Sequence, residues 1–448
     1  MKTRNITHGL VICLICCNIV AVLSSCDKFL DITPTGKVIA KTGEEYRDML
    51  TYEYKYFPKD RHMTTVRTDE LKLTGSTSSS DLDAYLDLWR WKDENPSPTT
   101  SYFSWRRYYH TIYIANYIIE HQGEISDASA AIVNQLIGEC YMLRAYSHFL
   151  LVNLYAEPYT HCNPATTRGV PMMLVADVNA IPGSSSVEAV YQQVLSDISQ
   201  AEQYLNVKEW EEGKRYRFNT VSAPALRART YLYMGRWQEA LDAAKAVIAA
   251  HPNLVDLNVS GALLPDDPMS AENIVALENY SSNLSTIINF PSTDYINMYR
   301  TGDQRRTKYY KKSGTTTWTL QKSEGYCSFR SGEAYLTAAE CAAQLGDLTG
   351  AIDNYLTPLW QKRLNASALS TEQTLVSTMT KEELLQEILD ERGRELAFEG
   401  HRWYDLRRTT QPALTRTWGG ETYTLTPNKY TMRFPTEAVE ANPEIERW

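Results

Sequence analysis

Residues 221–254 have the spacing of a two-helix repeat that is 34 residues long. Ala228 and Ala240 stand where two paired helices touch and leave room only for small side chains. Gly235 stands where the first helix ends, and Pro252 stands where the second helix cannot continue. One such pair cannot bury its own apolar face, so repeats of this kind stack on one another. The chain is therefore predicted to be a mainly α-helical protein built on stacked helix pairs.

A second, weaker copy of this tetratricopeptide-like unit covers 329–363. Ala339, Gly346 and Ala351 take the positions of the small residues and the turn glycine. Two units are too few, because at least three are normally needed to bury a continuous core. Helical patterns across 129–204 are therefore expected to supply degenerate units of the same stack.

Apolar residues elsewhere recur with the period of an amphipathic helix. One helix is predicted to begin near Glu44, and others cover about 105–120 and 129–155. A pair of serines followed by Glu188 is typical of a helix start and opens a further predicted helix.

Two long segments, 58–101 and 255–328, lack a sustained helical period and are rich in turn-forming residues. Trp89 and Trp91 in the first segment alternate as they would in a short strand. We interpret both segments as irregular surface insertions, and long ordered loops of this kind often carry function.

The N-terminus has the features of a signal peptide. Lys2 and Arg4 precede an apolar run of 14 residues, Leu10 to Leu23. This run is shorter than the roughly 20 residues that a membrane-spanning helix needs. Residues 1–25 are therefore predicted to be removed.

The residues at the predicted cleavage site, Leu23 to Cys26, resemble a bacterial lipobox. Cys26 would become the first mature residue and carry acyl chains such as palmitate, which anchor a protein without spanning the bilayer. Residues 26–40 would then form a tether between the lipid and the globular part. Ordinary secretion with a free Cys26 is the alternative.

The balance of charge is acidic, with 45 basic and 54 acidic residues. Loss of residues 1–25 would leave 43 basic against 54 acidic residues, a charge of −11. Such a chain lacks the concentrated basic face that nucleic-acid binding needs, so no nucleic-acid partner is predicted. Cys140, Cys162, Cys327 and Cys341 have no zinc-ligand spacing, and the sequence leaves their pairing open.

The sequence contains none of the motifs that usually carry catalysis. There is no HExxH pattern, no glycine-rich phosphate loop and no GxSxG nucleophile elbow. The 54 acidic residues offer many carboxylate pairs, but no feature selects one pair for glycoside hydrolysis. We therefore predict a protein that is not an enzyme, with no catalytic residue, no metal site and no cofactor.

Charged residues are concentrated near the C-terminus, in a motif that we place in 380–448. A continuous helix there would put Arg392 and Glu399 on one apolar stripe with Leu385, Leu389, Leu396 and Trp403. Buried charges are tolerated only when they are paired. We therefore interpret Arg392, Glu395, Glu399 and Arg402 as a structural motif.

The segment Glu391–Arg408, ERGRELAFEGHRWYDLRR, resembles the SusD/RagB family of Bacteroidetes surface lipoproteins. The resemblance extends in order through the mature chain, in the segments CDKFLDITPTG, WRRYYHTIYIANYII, YMLRAYSHFLLVNLY, GVP, FRSGEAYLTAAECA and FPTEAVEANPEI.

The resemblance implies one globular domain over 41–448, with about four tetratricopeptide-like helix pairs as a right-handed scaffold and a variable, loop-built face. It implies a protein that is lipid-anchored to the outer membrane at the cell surface. That protein would bind oligosaccharides and deliver them to a SusC-like TonB-dependent transporter. A peptide-binding, RagB-like subunit of the same kind of complex is the alternative.

Ligand-binding residues are expected in the insertions, because a sugar ring can stack its C–H face on an aromatic side chain. The candidates are Tyr85, Trp89 and Trp91 in the first insertion, and Tyr295, Tyr299 and Trp318 in the second. Arg305 and Arg306 belong to a basic stretch that would contact an acidic ligand, since arginine grips oxyanions with two donors. A solvated basic loop is the alternative for that stretch.

Overall fold

The computed structural model describes residues 40–74, 78–280, 291–313, 317–322 and 325–445. The predicted signal peptide, Cys26 and the predicted tether up to residue 39 lie outside these residues. The chain divides into two compact units, 1–41 and 42–448, and the elements below belong to the second unit.

Helices dominate the second unit. They are α1 (Gly43–Lys55), α2 (His62–Val66), α3 (Ser79–Trp89), α4 (Trp105–His121), α5 (Ala130–Tyr155), α6 (Val187–Tyr204), α7 (Ser222–Tyr233), α8 (Trp237–Ala250), α9 (Thr293–Asn297), α10 (Arg305–Lys308), α11 (Ser331–Gln344), α12 (Leu348–Gly350), α13 (Thr357–Arg363), α14 (Ala366–Val376), α15 (Lys381–Glu395), α16 (Arg402–Arg408) and α17 (Thr436–Ala441). A π-helical segment, Ala351–Leu356, joins α12 to α13.

Short antiparallel pairs of strands lie between the helices. The strands are β1 (Arg168–Pro171), β2 (Ser184–Ser186), β3 (Asn273–Val275), β4 (Tyr310–Ser313), β5 (Thr317–Leu320), β6 (Phe329–Arg330), β7 (Leu414–Trp418) and β8 (Glu421–Leu425). They pair as β1–β2, β3–β6, β4–β5 and β7–β8.

The long helices begin where the sequence supplies a cap. Thr42 and Glu45 form a capping box at α1, in which each side chain bonds the other residue's backbone N–H. Ser129 caps α5 and Ser186 caps α6 by accepting a backbone N–H three residues later. The helices predicted near Glu44, over 129–155 and after the serine pair are therefore present.

The two sequence repeats fold into neighbouring helix pairs. Helices α7 and α8 fill 221–254 and are joined at Gly235, whose φ of +70° favours glycine. Ala240 is fully buried at the helix contact, as the repeat spacing requires. Helix α8 packs on α11, the first helix of the second repeat, and α5 packs between α4 and α6. The helices therefore form one continuous stack.

The first insertion is more regular than its composition predicts. Residues 58–101 contain α2 and α3, and the strand predicted at Trp89 and Trp91 is wrong. Ser78 caps α3, so Trp89 is the last residue of a helix, and Trp91 follows with a left-handed φ of +57°. Both rings are buried by this turn.

The second insertion packs on the first. Leu71 forms a β-bridge with Pro291, and Ser292 donates from its backbone N–H to the Glu70 carbonyl at 2.8 Å. The Ser292 hydroxyl donates to the Asp69 carbonyl at 2.7 Å. Parts of the two insertions therefore support each other instead of extending separately into solvent.

The C-terminal motif consists of two helices, so the single continuous helix predicted there is wrong. Helix α15 ends at Glu395, and the chain turns through Phe398 (φ +60°) and Gly400 (φ +72°) before α16 begins. A Cβ on Gly400 would lie 2.5 Å from Cγ of Arg61, so a glycine is required at this close approach. Leu385 and Leu389 lie at the partly exposed side of α15.

A cluster of buried charges holds these parts together, and we call it the Glu395 cluster. Glu395 accepts hydrogen bonds from Arg305 at 2.9 Å, from Arg330 at 2.7 Å and from Arg363 at 2.8 Å. Glu272 shares Arg330 and Arg363, at 3.2 and 2.6 Å. The side chains of all five residues are at most 1% exposed.

The Glu395 cluster joins segments that are distant in sequence. Arg305 comes from the second insertion, Arg330 from β6 just before α11, and Arg363 from the end of α13. Burial alone would raise the pKa of Glu395, but the charges of Arg363, Arg330 and Arg305 hold it well below its ordinary value. The carboxylate therefore stays ionised and paired.

None of the helices among the described residues has the length and hydropathy of a membrane span. Within the same residues Cys140, Cys162, Cys327 and Cys341 are free thiols.

Replacing Glu395 by glutamine is expected to lower the free energy of unfolding by about 3–5 kcal/mol, because the buried arginines lose their shared counter-charge. Urea unfolding at pH 7 measures the loss. Glu94→Gln is the control, because Glu94 pairs with Arg433 at the surface, where an ion pair contributes about 1 kcal/mol or less. Equal losses in the two variants would contradict the prediction.

Candidate functional site

A large cavity lies between the first insertion and the C-terminal strands, and we call it the hairpin cleft. Its volume is about 950 Å³, at the upper end of the range for small-molecule sites. Three segments line it: 90–94 after α3, 157–161 after α5, and parts of 411–433.

One wall of the hairpin cleft is the β7–β8 hairpin. Gly419 and Gly420 form its two-residue turn with φ values of +60° and +84°, which suit the right-handed twist of a hairpin. Arg416 on β7 lies with its guanidinium carbon 4.8 Å from the ring centre of Trp89 and 4.3 Å from that of Trp91. The two tryptophans therefore hold the hairpin in place.

Arg416 is bound by backbone carbonyls. It donates to Val66 at 3.0 Å and also to the carbonyls of Thr68 and Trp89. Burial lowers its pKa to about 9. The hydrogen bonds that Arg416 donates, and the stacking of its guanidinium on Trp89 and Trp91, therefore fix the β7–β8 hairpin in place.

Trp91 forms the floor of the hairpin cleft in a strained backbone conformation, which costs on the order of 1 kcal/mol or more. Its indole N–H donates to the Arg67 carbonyl at 2.9 Å. The Arg67 side chain pairs with Asp93 at 2.7 Å and stacks 4.7 Å from the ring centre of Trp403. The floor is therefore anchored to the C-terminal motif.

The lining of the hairpin cleft combines one accessible aromatic ring with charges of both signs. Tyr423 is half-buried, and the Arg90 guanidinium lies 5.6 Å from its ring centre. The charged lining residues are Arg90, Lys92, Lys429 and Arg433 with Asp93, Glu94 and Glu157. A ring face beside many donors and acceptors is suited to a polyhydroxylated ligand. No group of three metal-ligating side chains occurs among the described residues.

The structure buries most of the aromatic residues that the sequence suggested for stacking. Tyr85, Trp89 and Trp91 are 9%, 4% and 1% exposed, and Tyr295 and Tyr299 are each 2% exposed. The expectation that these five rings point outward is wrong, because the insertions fold onto each other and onto the C-terminal motif. Trp89 and Trp91 contribute to the cleft by supporting it.

The hydroxyls of the buried tyrosines have internal partners. Tyr85 contacts Nε2 of His62 at 3.1 Å. Tyr295 donates to the Gly393 carbonyl at 2.5 Å, and Tyr299 donates to the Arg394 carbonyl at 2.8 Å. The contacts of Tyr295 and Tyr299 fix α9 and the segment after it against the end of α15.

Trp318 is the sixth aromatic candidate, and its ring is partly exposed. It lies on β5 opposite Lys312 of β4. The guanidinium of Arg306 lies 5.2 Å and the ammonium of Lys312 lies 5.8 Å from its ring centres. Arg306 and Trp318 are thus brought together at this second hairpin.

Arg305 does not reach the surface. Its side chain is fully buried and donates to Asp303, Glu391 and Glu395. The prediction that Arg305 lies in a position to contact an acidic ligand is wrong, since these carboxylates already occupy its donors. Neighbouring residues of the basic stretch, Lys311 and Lys312, are exposed.

Comparison with known proteins identifies the family. Residues 263–445 match the family model described as the SusD family. Residues 28–232 match a second model, described as starch-binding associating with outer membrane. The two matches follow one another and together cover most of the chain. The chain belongs to the SusD/RagB family.

Relatives of this SusD-like protein match nearly its whole length. The SusD-like protein P38 of Formosa agariphila is 24% identical over 470 residues, which cover 87% of this chain and 89% of P38. A SusD superfamily structure from Bacteroides thetaiotaomicron has a TM-score of 0.73 at 22% identity and covers 91% of this chain and 99% of its own.

A structure from Bacteroides vulgatus, described as a SusD-like carbohydrate binding protein, has a TM-score of 0.71 at 15% identity. It covers 91% of this chain and 98% of its own. At these identities the solved structures establish the fold, and the predicted helix-dominated architecture is confirmed.

In this SusD-like protein the charged C-terminal motif is internal. Arg392 donates to Asp405 at 3.0 Å, and Glu399 accepts from Arg330 at 2.9 Å. Arg402 pairs with Asp69 of the first insertion at 2.9 Å. These residues of the motif, together with Glu395, therefore join the helix stack to the insertions.

The β7–β8 hairpin is the part of the site that the sequence interpretation missed. The sequence around it alternates between outward and inward residues on both sides of Gly419 and Gly420. Two glycines between alternating segments are a recognised hairpin signal and could have located this wall.

Glu70 lies beside the turn that separates the two helices of the C-terminal motif. It accepts the Phe398 backbone N–H at 2.6 Å and the Thr68 hydroxyl at 2.9 Å. Burial raises its pKa to about 7, although both hydrogen bonds act in the opposite direction. The folded protein therefore holds a proton on Glu70 that the unfolded chain loses near pH 4.5.

The free energy of unfolding should consequently fall as the pH rises from about 4.5 to 7 through the contribution of Glu70. Glu70→Gln removes this contribution. Between pH 4.5 and 8 the free energy of unfolding of the variant should therefore rise by on the order of 3 kcal/mol relative to that of the unmodified protein. Urea unfolding of both proteins across this range measures the difference. A constant difference between them at all pH values would contradict the prediction.

Proposed function

We propose that this protein is a cell-surface glycan-binding lipoprotein that captures oligosaccharides in the hairpin cleft and delivers them to a SusC-like TonB-dependent outer-membrane transporter. The observation that carries the proposal is the cleft of about 950 Å³, whose rim offers the Tyr423 ring and charged groups of both signs. Family membership supports it, because the matched model is described as starch-binding and a solved relative as carbohydrate binding.

The lining favours a sugar over a purely apolar ligand. Sugar hydroxyls both donate and accept hydrogen bonds, so a lining that mixes arginines and lysines with carboxylates can satisfy both roles. The ring of Tyr423 supplies a flat face for the C–H side of a pyranose. Binding without bond cleavage agrees with the binding proteins named among the relatives.

The second hairpin, with Trp318 and Arg306, is proposed as an additional contact for acidic sugars. Its partly exposed ring and adjacent cations could bind a carboxylate or sulfate next to a stacked pyranose. Removal of both side chains should weaken binding of a polyuronate more than binding of a neutral glycan. Equal effects on both glycans would refute this part of the proposal.

Tyr423→Ala should weaken glycan binding by about tenfold, equivalent to about 1.4 kcal/mol, because it removes the accessible ring of the cleft. Tyr423→Phe should bind nearly as well as the unmodified protein. Calorimetry against panels of oligosaccharides and peptides measures the affinities. Growth of the source bacterium on the bound glycan should fall in parallel if the cleft serves delivery.

Thr424→Ala is the matched control, because this exposed residue is on β8 but does not line the cleft. If calorimetry detects binding heat only with peptides, and Tyr423→Ala abolishes that heat, the result would favour the RagB-like alternative. Absence of binding to every glycan in the panel would refute the proposed function.

We also propose that cleavage before Cys26 and acylation of its thiol anchor the protein to the outer membrane. The family model described as associating with outer membrane supports this location. Cells fed an alkyne analogue of palmitate should label the native protein, and Cys26→Ser should abolish the label and release the protein from the membrane fraction. Labelling of the Cys26→Ser protein at the original level would contradict the proposal.

A further inference from the structure

Tyr52 near the end of α1 and Tyr56 directly after it form an exposed aromatic surface. Tyr52 and Tyr56 are one helical turn apart, and their ring centres are 4.4 Å from each other with 43° between the ring planes. Their residues are 53% and 46% exposed. Neither residue lines the hairpin cleft. With Arg107 of α4 they form what we call the tyrosine platform.

Arg107 fixes the platform from below. Its guanidinium carbon lies 5.6 Å from the ring centre of Tyr52 and 5.7 Å from that of Tyr56. It donates from Nε to the Tyr56 carbonyl and from Nη2 to Glu53, both at 2.8 Å. Because the guanidinium is planar and held by these acceptors, both rings rest on a rigid base.

Glu53 is itself held in place beneath the platform. Its side chain is 1% exposed and also accepts the Thr111 hydroxyl at 2.9 Å. His110 lies at the edge of the platform, with Nδ1 3.2 Å from a Glu53 oxygen, and its side chain is 47% exposed. A polar group that can reach a ligand is therefore present beside the rings.

A role for Arg107 in covering apolar surface does not by itself explain why the rings of Tyr52 and Tyr56 are paired and exposed. An arginine that only covers apolar surface would leave little of either ring accessible, whereas about half of each tyrosine is exposed. Among the described residues the other strongly exposed tyrosine is Tyr102, and it makes no ring contact there. A preformed, adjacent pair of accessible rings lowers the entropy cost of binding a flat ligand.

We infer that the tyrosine platform is a second saccharide-binding site, which takes the pyranose rings of a glycan chain by stacking. Tyr52 and Tyr56 would contact the C–H faces, while His110 would bind hydroxyl groups at the edge. The inference rests on the proposed glycan-binding function and adds a site to it.

Two sites on one protein change how a long glycan binds. A polysaccharide that contacts the hairpin cleft and the platform binds the second site intramolecularly, so its retention can exceed that of either site by about 100-fold or more. A short oligosaccharide occupies the two sites independently. The platform therefore predicts different behaviour for long and short chains of the same sugar.

The contribution of the tyrosine platform to the binding of long glycans can be tested with the full-length protein in detergent. The protein is run on native gels that contain soluble starch, laminarin or polygalacturonate, and its retardation is measured. Replacing both Tyr52 and Tyr56 by alanine should lower the association constant for the retarding polysaccharide by about tenfold or more. Replacing both by phenylalanine keeps the rings and should preserve binding. Tyr102→Ala removes an exposed but isolated ring and should change binding by about twofold or less.

Calorimetry with maltohexaose, laminarihexaose or hexagalacturonate gives the stoichiometry. It should fall from two sugar chains per protein to one in the double-alanine variant, with an unchanged melting temperature showing that the fold is intact. One chain per protein in both the unmodified protein and this variant would overturn the inference and leave the proposed function standing. No binding of any probe by the unmodified protein would overturn both.

Discussion

The shared carboxylate of Glu395 organises this fold, because three buried arginines depend on it. A buried charge without a partner is far more costly than one in water, so Arg305, Arg330 and Arg363 can enter the interior only together with Glu395 and its neighbouring carboxylates. Arg305 belongs to the second insertion, whereas Arg330 and Arg363 lie at the start and the end of the second repeat. Burial of the cluster therefore requires the second insertion, the second repeat and the C-terminal motif to meet in one arrangement.

Arg416 applies a similar constraint at the hairpin cleft, with different partners. It stacks on Trp89 and Trp91 and donates to backbone carbonyls, so the position of the hairpin depends on the folded first insertion. The two tryptophans are used to support the wall. The aromatic surface available to a ligand consequently shifts to Tyr423, and outside the cleft to the paired rings of Tyr52 and Tyr56.

The helix stack could be predicted because its determinants are local. Gly235 must take a left-handed conformation between two helices, and serine or threonine must cap a helix start, wherever the segment lies in the molecule. Exposure in the insertions has no such local signal. Tyr295 is buried because Phe398 and the Gly393 carbonyl, about 100 residues later, cover its ring and hydroxyl.

The sequence by itself determined the stacked helix pairs, the starts of several long helices and, through the motif at Glu391–Arg408, the family. Only the tertiary structure decided which aromatic rings a ligand can reach and which charges are internal. The physical reason is that periodicity and capping act over a few residues, whereas burial sums contacts from the whole chain. Arg416 and Trp89 are 327 residues apart in sequence and in direct contact in the fold.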